Sequence, residues 1–233
     1  MPTSLYRFVF FIFFEFSLFC TSSYAAESVC YGTPSIGRLE NGVKLPASGK
    51  NFKSYSTLGY QLGRTYVHSQ VQRIALKAYE QLLIAAPDKT FMYGETSFAK
   101  GGSLKPHRTH QNGTSVDFMV PVMQADGESV PLPANALNKF GYGIDFDAKG
   151  KLGDLVIDFE AIAEHLYQLD TAALQSGNGL VIVIFEPQYH SRLFATKRGN
   201  YIKKHIHFME KPAWIRHDEH YHVDFKIACR ASL

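Results

Sequence analysis

The chain has 233 residues, 45% of them apolar, with 24 Lys and Arg against 21 Asp and Glu, for a formal net charge of +3. That length sets one globular domain or at most two small ones. A mean hydropathy of -0.13 and the near-balanced charge exclude a polytopic membrane protein, a disordered chain, and a basic field strong enough to point to nucleic acid.

The average hides a split, because seven of the 18 phenylalanines fall in the first 25 residues. Arg7 precedes an apolar run from Phe8 to Cys20, followed by Thr21-Ser22-Ser23 and small residues at Ala25 and Ala26. This is the three-part plan of a secretory signal peptide, with cleavage expected after Ala25. The run carries Glu15 and is too short to span a bilayer. A lipoprotein reading through Cys20 is disfavoured by the bulky Phe19 before it. Loss of residues 1–25 removes one charge of each sign, leaving a body over 26–233 with no membrane anchor of its own. It also removes Cys20, so Cys30 and Cys229 remain as an even pair in an oxidising compartment, which predicts a disulfide. Two buried free thiols are the alternative.

Within the body, residues 27–62 are rich in Gly, Ser and Asn and predict loops and short extended pieces. From Arg64 to Ala86, the spacing of Val67, Val71, Ile74, Ala78 and Leu82 predicts an amphipathic helix ended by Pro87-Asp88. A strand is expected over Thr90 to Glu95 and another over Thr114 to Val122. The segment Asp145 to Gly150 is read as a hairpin turn rather than a calcium loop, because Lys149 and Val156 stand where oxygen ligands would be needed. A second helix is expected from Asp158 to Gln168, then strands over Leu180 to Glu186 and Glu219 to Ile227. Helices and strands mix without regular alternation, which predicts a single α+β domain, a mostly antiparallel sheet with flanking helices.

The ten histidines cluster. His107 and His110 stand ahead of Asp117, His205 and His207 form one pair, and His217, His220 and His222 lie together near the C-terminus. On a strand, residues two apart share a face, so His220, His222 and Asp224 point one way and Tyr221, Val223 and Phe225 the other. In the strand from Thr114, Asp117 shares a face with Ser115 and Met119, and the Asn112-Gly113 turn lets His110 fold back beside it. Two His and one Asp with an open fourth position fit a catalytic zinc site. A solvated polar sheet face is the plainer reading of the last cluster alone. His205-Ile206-His207 followed by Glu210 has some likeness to a cupin metal motif, but the helical content argues against a double-stranded β-barrel.

His110, six intervening residues, Asp117, and later His220-Tyr221-His222 resemble the motif of the lysostaphin, D-Ala-D-Ala metallopeptidase and hedgehog superfamily. More narrowly, Gly102 to Asp117 and Trp214 to Val223 resemble the corresponding blocks of penicillin-insensitive murein endopeptidases, and weaker likeness extends over about residues 35–230. The resemblance implies a hedgehog and D-Ala-D-Ala peptidase-like fold. It implies zinc held by His110, Asp117 and His222, with His107 at the edge of the site as a further ligand or substrate contact. It implies His220 as a catalytic residue and His217 as a second one. Asp224 departs from the pattern, since the family usually has a basic residue there. Two body cysteines are also fewer than relatives often carry.

Peptide hydrolysis by such a site needs no acylated serine, so β-lactams are not expected to inhibit it. The expected function is a periplasmic zinc endopeptidase of a Gram-negative cell, acting on peptidoglycan cross-links. A D,D-carboxypeptidase acting on stem peptides and a non-catalytic murein- or metal-binding protein are the alternatives. No nucleic-acid partner is expected, and the sequence does not set the oligomeric state.

Overall fold

Alternation of apolar residues in the two motif strands decides how the chain is layered. Val116 and Phe118 on one strand and Tyr221, Val223 and Phe225 on the other are fully or almost fully buried, and they face two long helices. The opposite face of the same strands carries Asp117, His220 and His222. The computed structural model describes residues 26–232; the predicted leader over 1–25 lies outside them.

The central sheet has five strands: β1 (Phe52–Ser54), β2 (Phe91–Tyr93), β3 (Ser115–Met119), β4 (Leu180–Ile184) and β5 (His220–Phe225), in the order β4-β5-β3-β2-β1. Only β1 and β2 run parallel. The other pairs are antiparallel, as the mixed pattern of elements predicted. Strand β5 lies against β3 with His222 opposite Asp117 and Asp224 opposite Ser115. Among the described residues no helix is long and apolar enough to cross a membrane.

Helix α1 (Ser69–Ala85) begins five residues later than its apolar period suggests. Val67 is buried for another reason: Tyr66–Val67 pairs with Val43–Lys44 as a short two-stranded piece. His68 is extended and its ring accepts from the Gln70 amide as the helix cap, which fixes the start. Helix α2 (Phe159–Gln175) starts where expected, with the Asp158 carboxylate accepting from the Ala161 amide, and runs seven residues past Gln168. Leu169, Ala172 and Ala173 continue its buried stripe. Gly177, at φ 74°, then closes it as Asn178 N–H donates to Ala173 and Gly177 N–H to Leu174, a Schellman stop.

The helices pack on the sheet through aromatic rings. Tyr79 and His165 lie 5.1 Å apart, and Phe118 stands 4.7 Å from His165, edge to face. Burial pushes His165 down to about 3, so the ring is neutral, and it hydrogen-bonds the Tyr221 hydroxyl through Nδ1.

The strand expected over Thr114 to Val122 divides at Pro121, which has no N–H to give to a ladder. Val122–Met123 leaves the central sheet and pairs with Leu155–Ile157 and Ser129–Val130 in a separate four-stranded antiparallel sheet. The Asp145 to Gly150 segment contains the expected turn, with the Asp147 carboxylate accepting from the Lys149 and Lys151 amides. The paired strands themselves come just after it, Lys151–Leu152 with Leu155–Ile157. Two short helices, His190–Phe194 and Gly199–His205, were not legible in the sequence; His205 ends the second and is exposed.

Cys30 and Cys229 form a disulfide, closing a sequence separation of 199 residues. The backbone reinforces it: Arg230 N–H donates to Cys30 and Gly32 N–H donates to Arg230, both at 2.8 Å. The C-terminus is thereby tied to the N-terminal hairpin of Val29–Gly32 and Gly37–Glu40. Denatured, unreduced mature protein should show no reactive thiol. Replacing Cys30 by Ser should lower the unfolding free energy in urea by about 2–5 kcal/mol; an unchanged midpoint would mean that the bond contributes no stability.

Candidate metal centre

Asp117 lies in the middle of β3 with no solvent exposure, flanked by His222 from β5 and by His110 from the loop before β3. Gly113, at φ 76°, makes the turn between that loop and the strand, and a Cβ there would lie 2.6 Å from the Leu39 side chain and 2.9 Å from the His68 amide. His110 itself has φ 69°, a left-handed conformation that costs a residue with a Cβ about 1–3 kcal/mol. Surrounding bonds impose it: Gln111 N–H donates to Pro34, Gly102 N–H to Gln111, and His68 N–H to Gly113. Gly94 gives a second close approach, because a Cβ there would meet the Tyr142 hydroxyl at 2.5 Å and the Asp117 Cβ at 3.0 Å.

Three ligand-type atoms meet at this point. His110 Nε2 is 3.1 Å from Asp117 Oδ1, His222 Nδ1 is 2.9 Å from the same oxygen, and the two ring nitrogens are 3.1 Å apart. Nitrogen and oxygen ligands at about 2.0–2.1 Å from a tetrahedral metal are separated by roughly 3.3 Å, so this triangle is close to one face of such a polyhedron. His107 joins the group from the side: His107, His110 and Asp117 each offer a ligand atom within 4.8 Å of the others and could hold a metal ion. The sequence-predicted ligands are thus brought together.

Each ring is anchored through one nitrogen and presents the other. His110 Nδ1 donates to the Thr96 carbonyl at 2.7 Å, leaving Nε2 for the site. His107 bonds Glu95 Oε2 through Nε2 at 2.6 Å, and its Nδ1 lies 3.8 Å from Asp117 Oδ2. His222 faces the site through Nδ1 and holds Asp224 Oδ1 through Nε2 at 2.8 Å. Asp224 in turn accepts from the Ser115 hydroxyl. Asp224 therefore orients a candidate ligand, as carboxylates behind metal-bound histidines do.

The two remaining histidines sit beside this group. His220 Nε2 is 3.9 Å from Asp117 Oδ2, its Nδ1 is 2.9 Å from Glu219 Oε1, and its ring centroid is 4.5 Å from that of His217. His217 Nδ1 donates to the Ile215 carbonyl at 2.9 Å. Three further groups, Glu95, Tyr142 and Glu219, carry structural weight here and were not singled out from the sequence. The Tyr142 hydroxyl donates to Asp117 Oδ2 at 2.9 Å and accepts from the Glu95 amide at 2.8 Å. Glu95 gathers His107, Arg64 and Tyr55. His205 and His207 are exposed and do not line this cavity.

Electrostatics separates the rings into two kinds. Burial drives His220 down to about 4, and burial with the neighbouring His220 drives His217 down to about 3, so both are neutral near pH 7. Burial also disfavours charge on His222, but the Asp224 charge and the hydrogen bonds to Asp117 and Asp224 raise it to about 10. Asp117, although buried, is held well below the usual carboxylate range by His110 and His220. The point between Asp117 and His222 thus favours positive charge, whether carried by a proton or by a metal ion.

His107, His217, His220 and His222, with Glu95, Tyr142 and Glu219, line a cavity of about 550 Å³ together with the segments Pro106–Thr109 and Pro212–Ile215, while His110 and Asp117 lie outside its lining. No protein-family model matches the chain, and no curated protein matches it.

Substituting Asp224 by Ala should weaken divalent-metal affinity about 10–100-fold, with Asp224→Asn falling between that variant and the parent. Competition titration against a chelator reads this directly, and equal affinities in all three proteins would remove Asp224 from the site.

Proposed function

We propose that this chain is an exported zinc peptidase that hydrolyses peptide cross-links of peptidoglycan in a Gram-negative periplasm, on a hedgehog and D-Ala-D-Ala peptidase-like scaffold. The observation that carries the reading is the convergence of His110 Nε2, Asp117 Oδ1 and His222 Nδ1 within 3.1 Å, with two neutral imidazoles beside them at the base of an open cavity. The motif resemblance supplies the substrate class.

Imidazole and carboxylate ligands with one side left open suit zinc, held by His110, Asp117 and His222, with His107 as the additional ligand or substrate contact. When bound, zinc polarises a peptide carbonyl and lowers the pKa of a water to about 7. His220 is the general base: its neutral ring faces the cavity, and its bond to Glu219 fixes the ring plane. It accepts a proton from the attacking water and returns it to the leaving amine. His217 donates Nδ1–H to a backbone carbonyl, so its Nε2 is left as an acceptor, and its ring, 4.5 Å from that of His220, is the second catalytic or transition-state-stabilising imidazole. Tyr142 keeps Asp117 Oδ2 occupied, leaving Oδ1 for the ligand role.

Purified protein should release monomeric muropeptides from cross-linked sacculi, stop on full chelation, and continue in penicillin. His220→Ala should lower kcat by about 10²–10⁴-fold, and His222→Ala should abolish both metal retention and activity. Activity that survives chelation refutes the metal mechanism. Binding to sacculi without new products assigns a binding module instead, and loss of terminal D-alanine alone assigns a carboxypeptidase.

The pH profile has a definite sign. The base form of His220 is required, so activity falls as pH drops through its pKa, which burial sets below the ordinary imidazole value. With zinc in excess, the acid limb of kcat/KM should lie below about 6.5; a midpoint above that value would exclude a buried, neutral His220 as the base.

A further inference from the structure

The chain's single tryptophan is not part of the core. Trp214 is 54% exposed, Ile215 beside it is 46% exposed, and both line the cavity above the candidate metal centre. Across the cleft, the Arg108 guanidinium lies 4.7 Å from the centre of the Trp214 ring. The two residues come from different segments lining the cavity, Pro106–Thr109 and Pro212–Ile215, so this contact joins them.

The charges lining the cavity are unevenly satisfied. Glu95 is matched by Arg64 and His107, and Glu219 shares a hydrogen bond with the neutral His220. Among the described residues, no carboxylate lies within ion-pairing distance of Arg108, nor of Lys139, which lines the same cavity. Lys139 is held at φ 53° and the next residue, Phe140, at φ 57°, a left-handed pair that fixes the course of this wall. The mouth therefore carries two unneutralised cations beside an apolar surface of Trp214, Ile215 and Met209. A guanidinium is a planar fork suited to a carboxylate, and an exposed indole offers a flat face to an aliphatic stretch.

We propose that Arg108 and Trp214 form a substrate subsite for a peptide bearing a free carboxylate next to an aliphatic segment. The carboxylate takes the Arg108 edge and the aliphatic part packs on Trp214. This rests on the peptidase reading for the choice of peptide, and on the cavity's own residues for the carboxylate. It gives the loop walls the task of selection: a substrate whose carboxylate is amidated loses its ion pair at the mouth.

Trp214 is the sole indole, so its fluorescence, excited where tyrosine does not absorb, reports binding directly. The probe is a peptidoglycan stem tripeptide ending in diaminopimelate, which has no D-alanine and no bond that the proposed activity would cut, compared with the same peptide fully amidated. The metal-loaded protein should show a saturable change with the acid peptide and bind the amidated one about tenfold or more weakly. Arg108→Gln should reduce acid-peptide affinity to the level of the amide and leave amide affinity unchanged. Arg108 is exposed, so the variant is expected to fold, and its thermal transition checks this. Equal affinity for both peptides, no binding of either, or an acid preference that survives Arg108→Gln overturns the subsite. Cleavage of sacculi without the carboxylate preference would sink the subsite alone. The preference without cleavage would sink the peptidase reading alone.

Discussion

Strand β5 lies against β3 with His222 opposite Asp117, and this register has consequences on both faces of the sheet. A slip of β5 by one residue would turn His220 and His222 toward the helices and bring Tyr221 and Val223 to the face that carries Asp117, because side chains alternate along a strand. The aromatic layer that holds the register, Tyr79, Phe118, His165 and Tyr221 against helices α1 and α2, is therefore also what aims the candidate ligands. Core packing and site geometry here are one constraint read from two sides of the same strands.

The second ingredient is the fixing of tautomers. An imidazole can present either nitrogen, and a cluster of five rings has many useless arrangements. Here the Thr96 carbonyl, Glu95, Asp224, the Ile215 carbonyl and Glu219 each bond one nitrogen of a different ring, which leaves the other nitrogen for the cluster. Burying this many polar groups is unfavourable unless each is partnered. The network around Asp117 meets that demand through Tyr142, His110 and His222, while leaving a locus that favours positive charge.

The layered α+β arrangement and the site residues were legible because both rest on short periods. Alternation marked β3 and β5, and His110, Asp117 and the His217 to His222 tract stood within a few residues of those strands. Legibility failed where partners come from distant segments. Val67 continues the apolar spacing of α1, yet Tyr66–Val67 pairs with Val43–Lys44, which no local pattern announces. Pro121 did mark the end of β3, and Gly177 with Asn178 marked the true end of α2, so those boundaries were open to a stricter use of turn chemistry. Glu95 sat at the end of an expected strand with nothing to show that Arg64, Tyr55 and His107 gather on it. Tyr142 had no sequence signal at all; its role exists only because Asp117 Oδ2 lies across a gap that Gly94 keeps clear.

These differences in legibility follow a division of labour in the molecule. The candidate metal centre takes Asp117, His220 and His222 from strand positions, where backbone hydrogen bonds fix side-chain direction to within the tolerance that metal binding demands. His107, His110 and His217 come from loops, and His110 is the one candidate ligand whose backbone is strained, with several surrounding bonds enforcing φ 69°. Of the cavity-lining residues, Arg108 and Trp214 lie in loops and Lys139 in the short 3-10 segment Ala136–Gly141. Loops of that kind can change residue type without disturbing the sheet. On this scaffold, then, the residues lining the cavity can vary while the histidine cluster stays fixed by the pairing of β3 with β5.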